Sequence, residues 1–435
     1  MAMSFHEKYL HKRSATSNGM KKLRRVYFDH AAATPLDPRV FTVMKPLMVK
    51  EFGNPGALYR EGVAAKDAIL LARKKIAQIL FAHPDEIVFT GSGTEGNNLA
   101  IQGVVRSAQE KSAENKVHII TSAIEHPSVL SVCQALENHH VDVSYIGVDG
   151  NGIIKLDELK KALRKETVLV SVMYANNEIG TIEPIREIAK IVRAWKKHHK
   201  STSNSYTRFA SKEFRSQHNT SFPYIHTDAC QAVNYLPLHV ERLGVDLLTL
   251  NGSKIYGPKG MGALFIRRGV PLSPLIYGGG QERRLRPGTE NVAGIVGLAE
   301  ALGIAETMKE KESKRLTTLR DYFIKSVFKK IPGVILNGDR SKRLPNNVNV
   351  SIPGVESDHL IIELDARGIA ASARSACKSM DEEGSHVIMA LGRNTIGTES
   401  GIRFTLGRST TKKDIDYVTL VLPQLVKKIK NIKRL

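Results

Sequence analysis

Between residues 86 and 267 the chain alternates short apolar runs with stretches of helical periodicity, and this alternation constrains the fold more than any other feature. The runs cover residues 86–90, 118–122, 143–148, 168–175, 224–227, 247–250 and 262–267, and helix-like segments at 97–110, 128–138, 156–164 and 185–198 separate most of them. Runs this short that are apolar throughout suit strands covered on both faces. Strands alternating with helices build a mostly parallel sheet with helices on both faces. The spacing therefore predicts an α/β fold around a mostly parallel seven-stranded sheet. Such sheets carry their sites beyond the carboxyl ends of the strands.

Around this block the organisation changes. Residues 1–25 form a polar, basic extension, and residues 26–50 a short strand and a helix expected to pack with a smaller C-terminal domain. A large domain is expected over 51–290, interrupted at 199–222 by a polar, basic surface insertion. After Gly278-Gly279-Gly280 two long helical stretches, 292–311 and 313–329, are followed by short strands and a terminal helix at 414–430. That pattern predicts a smaller α+β domain over 291–435.

Composition narrows the function classes. The net charge is +21, but the basic excess is dispersed and aromatics are not interleaved with it, so specific nucleic-acid binding is not expected. No apolar run is long enough to span a bilayer, and the N-terminus has no apolar signal core. The three cysteines, Cys133, Cys230 and Cys377, lack CxxC spacing, which argues against a disulfide framework and a metal site and fits a reducing cytoplasm.

The polar residues that end the apolar runs carry the chemistry. Gly91-Ser92-Gly93-Thr94-Glu95-Gly96 follows the first run and opens a helix, whose N-terminal N–H groups suit a phosphate. It formally satisfies G-x-G-x-x-G, so a nicotinamide or flavin enzyme is a competing reading. The acidic residue expected after the next run is not cleanly present, because Glu125 stands there beside His126. His126, Asn177, Asp228 and Lys254 each follow an apolar run. A lysine near apolar surface is suited to Schiff-base chemistry, because desolvation disfavours its ammonium form. An aspartate, a lysine, a histidine and a phosphate-binding helix start together match pyridoxal 5'-phosphate, whose pyridine nitrogen needs a carboxylate partner.

With those residues in view, the chain resembles the cysteine desulfurases of the class V aminotransferase group, pyridoxal-phosphate fold type I. The likeness spans residues 26–422 and rests on Tyr27-Phe28-Asp29-His30-Ala31-Ala32-Ala33-Thr34-Pro35, Phe52-Gly53-Asn54-Pro55, Asn176-Asn177-Glu178-Ile179-Gly180, Lys254-Ile255-Tyr256-Gly257-Pro258-Lys259-Gly260 and Arg403-Phe404-Thr405-Leu406-Gly407-Arg408. The resemblance implies that Lys254 carries the cofactor, His126 stacks on its ring and Asp228 pairs with its pyridine nitrogen. Asn177 and Gln231 would contact the ring hydroxyl. Gly93, Thr94, Asn251 and Ser253 would hold the phosphate, with Thr289 reaching the phosphate of a second copy in a homodimer. Arg403 would clamp the carboxylate of L-cysteine. Cys377, in the polar stretch Ser372-Ala373-Arg374-Ser375-Ala376-Cys377-Lys378, would be the nucleophile that takes the substrate sulfur as a persulfide. The polar stretch after it is similar to the long-cysteine-loop class. The sulfur would pass to an acceptor protein, an iron–sulfur scaffold or a tRNA thiolase. The chain departs from the family's commoner pattern at Ser253, where a histidine is frequent, and at Asn251 and Gly96, where serines are frequent. Another class V aminotransferase or a selenocysteine lyase would share Lys254 and Asp228 without needing Cys377. A non-enzymatic basic scaffold would need none of Lys254, Asp228 and Arg403.

Overall fold

The computed structural model describes residues 24–110, 116–199, 222–373, 384–392 and 401–432. The chain enters through β1 (Val26–Tyr27), α1 (Pro38–Val49) and α2 (Arg60–Leu80). The alternating block follows as β2 (Ile87–Thr90), α3 (Gly93–Gln109), β3 (Val117–Ser122), α4 (Pro127–Glu137), β4 (Val141–Ile146), α5 (Leu156–Ala162), β5 (Thr167–Ser171) and α6 (Ile185–His198). It closes with β6 (Tyr224–Asp228), α7 (Val240–Leu243), β7 (Leu247–Asn251) and β8 (Gly262–Ile266). The last part contains α8 (Val292–Lys330), β9 (Ile335–Leu336), β10 (Asn347–Ser351), α9 (Ser357–Ala366), β11 (Ile369–Ala370), α10 (His386–Ala390), β12 (Gly401–Thr405) and α11 (Lys412–Ile432).

The seven expected strands form one sheet in the order β2-β8-β7-β6-β5-β3-β4. Only β8 runs against the others, since it is antiparallel to both β2 and β7 and every other pairing is parallel. Strands β2, β3, β5, β6, β7 and β8 are almost wholly buried, as expected for a sheet covered on both faces, whereas edge strand β4 keeps polar residues exposed. The connection from β7 to β8 has no helix, which leaves an antiparallel return as the simple option. Six carboxyl ends therefore lie along one edge of the sheet.

Among the described residues the apolar core falls into four clusters, two of which join the parts of the chain. The first joins the sheet to α1, α2, α6 and the start of α8 through residues such as Met44, Ile76, Val192 and Leu298. The second joins β10, β12, α11 and the end of α8 through Phe28, Phe323, Phe404 and Leu422. The N-terminal segment contributes to both, with Phe28 in the second core and Val40 in the first. Strand β1 pairs in parallel with β11, and β12, β10 and β9 form a small antiparallel sheet.

The two expected long helical stretches are one helix. α8 has 39 residues and no Gly or Pro between Ala305 and Lys330. Its polar middle is laced by Lys314–Glu310 at 2.7 Å and Arg315–Glu312 at 2.8 Å, pairs at helical spacing. At 1.5 Å per residue it is about 58 Å long, enough to serve both cores. No helix among the described residues is long and apolar enough to cross a membrane.

Candidate active site

The N-terminus of α3 opens just after β2. Ser92 caps it, its hydroxyl accepting from Glu95 N–H at 3.1 Å, which leaves the N–H groups of Gly93 and Thr94 outside the helix ladder. The missing side chain at Gly93 matters, because a Cβ there would lie 2.7 Å from Cys230 Sγ and 3.2 Å from Asn251 Nδ2. Gly93 backbone, Cys230 and Asn251 thus form one tight corner, and Asn251 Oδ1 is buried there without a protein partner. Glu95 closes the other side by accepting from Gly91 N–H at 2.7 Å and pairing with Arg286 at 3.0 Å. Thr94 is exposed at the helix start.

The departure from the family pattern at Gly96 has a steric reason. A Cβ at Gly96 would stand 2.8 Å from Thr249 Cγ2, so β7 fills the room that a side chain would take. Gly96→Ala is expected to destabilise the fold by about 1–3 kcal/mol, as overpacked cores do. Urea denaturation should show this loss, and Thr249→Ser should relieve it. Serine removes the methyl group and keeps the hydroxyl that lies 2.9 Å from His226 Nε2.

Asp228 ends β6 and is buried. Its Oδ1 accepts from Cys230 N–H at 2.9 Å and its Oδ2 from Asn97 Nδ2 at 2.7 Å. His126 caps α4, its Nδ1 accepting from Ser128 N–H at 3.1 Å. Burial pulls this imidazole below its ordinary range, with Asp228 opposing that shift and Lys254 adding to it. The preceding residue, Glu125, is completely buried, and burial pushes its carboxyl up to about 8, so it holds its proton near neutral pH. Its Oε1 accepts from Ser122 Oγ at 2.6 Å and Met173 N–H at 2.8 Å.

Lys254 follows β7 on the half-buried turn that leads to β8. Its Nζ donates to the Ala32 carbonyl. That carbonyl belongs to the N-terminal turn 29–34, which laces several expected site residues together. Gln231 Nε2 donates to Ala31 O at 3.0 Å, and the Ser253 carbonyl accepts from Thr34 N–H and Oγ1, both at 3.0 Å. Asp29 pairs with Arg403 at 2.8 Å, and Arg403 also donates to the Asn177 carbonyl at 2.9 Å. Arg403 is 2% exposed, and its Nε has no protein partner.

The structure thus gathers Gly93, Asn251, His126, Asp228, Lys254, Gln231, Ser253, Asn177 and Arg403 along the carboxyl edge of the sheet and the N-terminal turn. Thr289 sits apart on an exposed turn whose Arg286 reaches Glu95. Cys377, Arg374 and Lys378 lie outside the described residues, as do residues 1–23 and 200–221 of the two basic segments. The other two cysteines are buried, and burial pushes the Cys133 thiol up to about 12 and the Cys230 thiol well above its ordinary value. Sequence reasoning did not single out Asn97, Ser128, Asp29 or the Ala32 carbonyl. The signal available for the first two was position: Asn97 lies one turn into the phosphate-type helix, and Ser128 two residues after His126.

This donor set fits pyridoxal phosphate. The free helix N–H groups and the bare Gly93 Cα, with the Asn251 Nδ2 donor beside them, form an anion corner with room for close backbone approach. A buried carboxylate and a half-buried amine complete what the pyridine nitrogen and the aldehyde need.

Comparisons with known proteins agree. The model of the class-V aminotransferases matches residues 26–199 and 208–418. The chain is 46% identical over 409 residues to a protein named cysteine desulfurase IscS from Dictyoglomus turgidum, covering 94% of this chain and 96% of that one. It is 43% identical to one of the same name from Methanosarcina thermophila, covering 94% of each. Among solved structures, a NifS-like protein superposes with a TM-score of 0.79 at 34% identity, over 94% of this chain and all of the other. A NifS-like protein from Rickettsia africae gives 0.78 at 29% identity, over 93% of this chain and all of that one. The chain therefore belongs to the class-V aminotransferase family, as a member of its cysteine desulfurase branch.

Proposed function

We propose that this protein is a pyridoxal 5'-phosphate-dependent cysteine desulfurase that converts L-cysteine to L-alanine and leaves the sulfur as a persulfide on Cys377. The observation that carries this reading is the convergence of Lys254, Asp228 and His126 beside the α3 N-terminus. When bound, the cofactor supplies an electron sink for the pair released when the substrate loses its α-proton. Lys254 attaches the cofactor and then takes that proton. Asp228, held by two N–H donors, would pair with the ring nitrogen. Gly93, Thr94, Asn251 and Ser253 take the phosphate, and Asn177 and Gln231 the ring hydroxyl. His126, whose imidazole burial pulls below its ordinary range, would stack on the ring and move protons at Nε2.

Arg403 binds the substrate carboxylate in competition with Asp29, offering the Nε that no protein group occupies. Cys377 attacks the substrate sulfur as a thiolate. The new S–S bond forms as the C–S bond breaks, its electron pair stays on carbon and is protonated, and the products are alanine and the persulfide. No outside oxidant or reductant enters this balance.

A homodimer suits the exposed Phe52, Leu58, Tyr59 and Tyr277, which a second copy would cover, with Thr289 reaching that copy's phosphate. We assign the sulfur to an acceptor protein of iron–sulfur assembly or tRNA thiolation, in the cytoplasm.

The direct test is alanine release from L-cysteine by the cofactor-loaded protein, and its absence would refute the assignment. In the same assay Arg403→Lys should raise KM about 10- to 100-fold with a smaller change in kcat. The substitution keeps the charge opposite Asp29 but loses a bidentate contact to a carboxylate, worth about 1.5–3 kcal/mol.

A further inference from the structure

Asn97 is completely buried in the first turns of α3, where a packing residue would ordinarily be apolar. Both hydrogens of its amide are spent on acceptors from two other elements. One goes to Asp228 Oδ2 at 2.7 Å at the end of β6, and the other to Ser128 Oγ at 2.8 Å at the start of α4. Its Oδ1 meanwhile has no partner in the protein, so the side chain is placed for its two donors. Ser128 continues the connection. Its hydroxyl oxygen already accepts from Asn97, and that oxygen lies 2.8 Å from His126 Nδ1, so its hydrogen is directed to the ring. The Ser128 backbone N–H, which can only donate, reaches the same nitrogen at 3.1 Å. Nδ1 must then be an acceptor, and the neutral ring carries its proton on Nε2. Close packing makes the arrangement possible, since bare Gly96 lets Thr249 of β7 approach α3 one residue before Asn97.

We propose that Asn97 and Ser128 are positioning residues, which tie Asp228 to His126 and fix the His126 ring with its proton on Nε2. The inference deepens the reading above, because it rests on Asp228 and His126 serving the cofactor ring. Through one amide the two groups that would flank the ring are set as a unit. Neither Asn97 nor Ser128 touches the reacting atoms.

The test uses cofactor-loaded protein labelled with ¹⁵N-histidine, with the His126 signals assigned by their loss in His126→Gln. Long-range proton–nitrogen correlation reads the tautomer directly and does not depend on turnover. In the wild-type protein, Nδ1 should report an acceptor and Nε2 a protonated nitrogen. Ser128→Ala removes a single hydroxyl, and Asn97→Leu removes both donors. Both variants keep the backbone N–H of residue 128, so Nδ1 should remain an acceptor, but losing or loosening the hydroxyl hydrogen bond should shift its signal towards that of an acceptor with one donor fewer, and Ser128→Thr should restore it. Each should also lower kcat about tenfold, a part of the 10²–10⁴ that acid–base groups supply, with little change in KM. A wild-type ring protonated on Nδ1 would overturn the proposal. So would an unmoved His126 Nδ1 signal in Ser128→Ala, a variant small enough to fold even where Asn97→Leu does not. Failure of the desulfurase reading would look different: a wild-type protein with the expected tautomer that forms no alanine.

Discussion

Lys254→Ala is expected to abolish both turnover and covalent attachment of the cofactor. In the wild-type protein, borohydride should fix the cofactor onto the peptide that contains Lys254; in the variant no such adduct should form. The kcat loss should reach at least about 10³-fold, because one amine serves both as the attachment point and as the base, and groups acting as a unit lose nearly everything together. The fold should survive. Lys254 is only half-buried on a turn, and the strands that flank it pair with each other and with β6 and β2 through backbone bonds. Its Nζ donates to the Ala32 carbonyl, on a turn that Ser253 and Gln231 also hold. Retention of a borohydride-stable adduct in Lys254→Ala would move the attachment to another lysine and undo the site assignment.

Cys377→Ser should have an effect of similar size with a different signature. Alanine formation should fall to background while cofactor colour and the Lys254 adduct remain, since a hydroxyl cannot take up the substrate sulfur as a persulfide. The chain has three cysteines, and burial holds the Cys133 and Cys230 thiols in their neutral, unreactive form. Cys230 Sγ also sits against the Gly93 backbone, where a Cβ would lie only 2.7 Å away. Wild-type alanine production by Cys377→Ser would favour a lyase that releases sulfur without a protein nucleophile.

Much of this was legible in the sequence because strands buried on both faces write uninterrupted apolar runs, and the residues ending them fall on one sheet edge. The Lys254 turn, Asp228 and His126 were found in this way. The run ends were less accurate: the stretch expected over 168–175 is a strand only through Ser171, and Val172–Ala175 bonds to neighbouring strand ends outside the ladder. The split assigned to α8 followed its change from apolar to charged residues, yet that stretch has no Gly or Pro and its charges pair at helical spacing. Asn97 and Ser128 were missed for a physical reason. A buried amide bridging a strand end and a helix start leaves no period in the chain, and its partners lie 131 and 31 residues away. The role of the N-terminal turn was hidden likewise, because Ala31, Ala32 and Thr34 act through backbone groups or a small hydroxyl that any turn could carry.

The central claim is that sulfur leaves L-cysteine and lands on Cys377. Intact-mass spectrometry of the cofactor-loaded protein, before and after L-cysteine and without reductant, tests it most directly. The expected result is a gain of one sulfur atom that maps to the Cys377 peptide, with alanine formed alongside. Alanine formed with no sulfur on Cys377, or sulfur found only on Cys133 or Cys230, would contradict it.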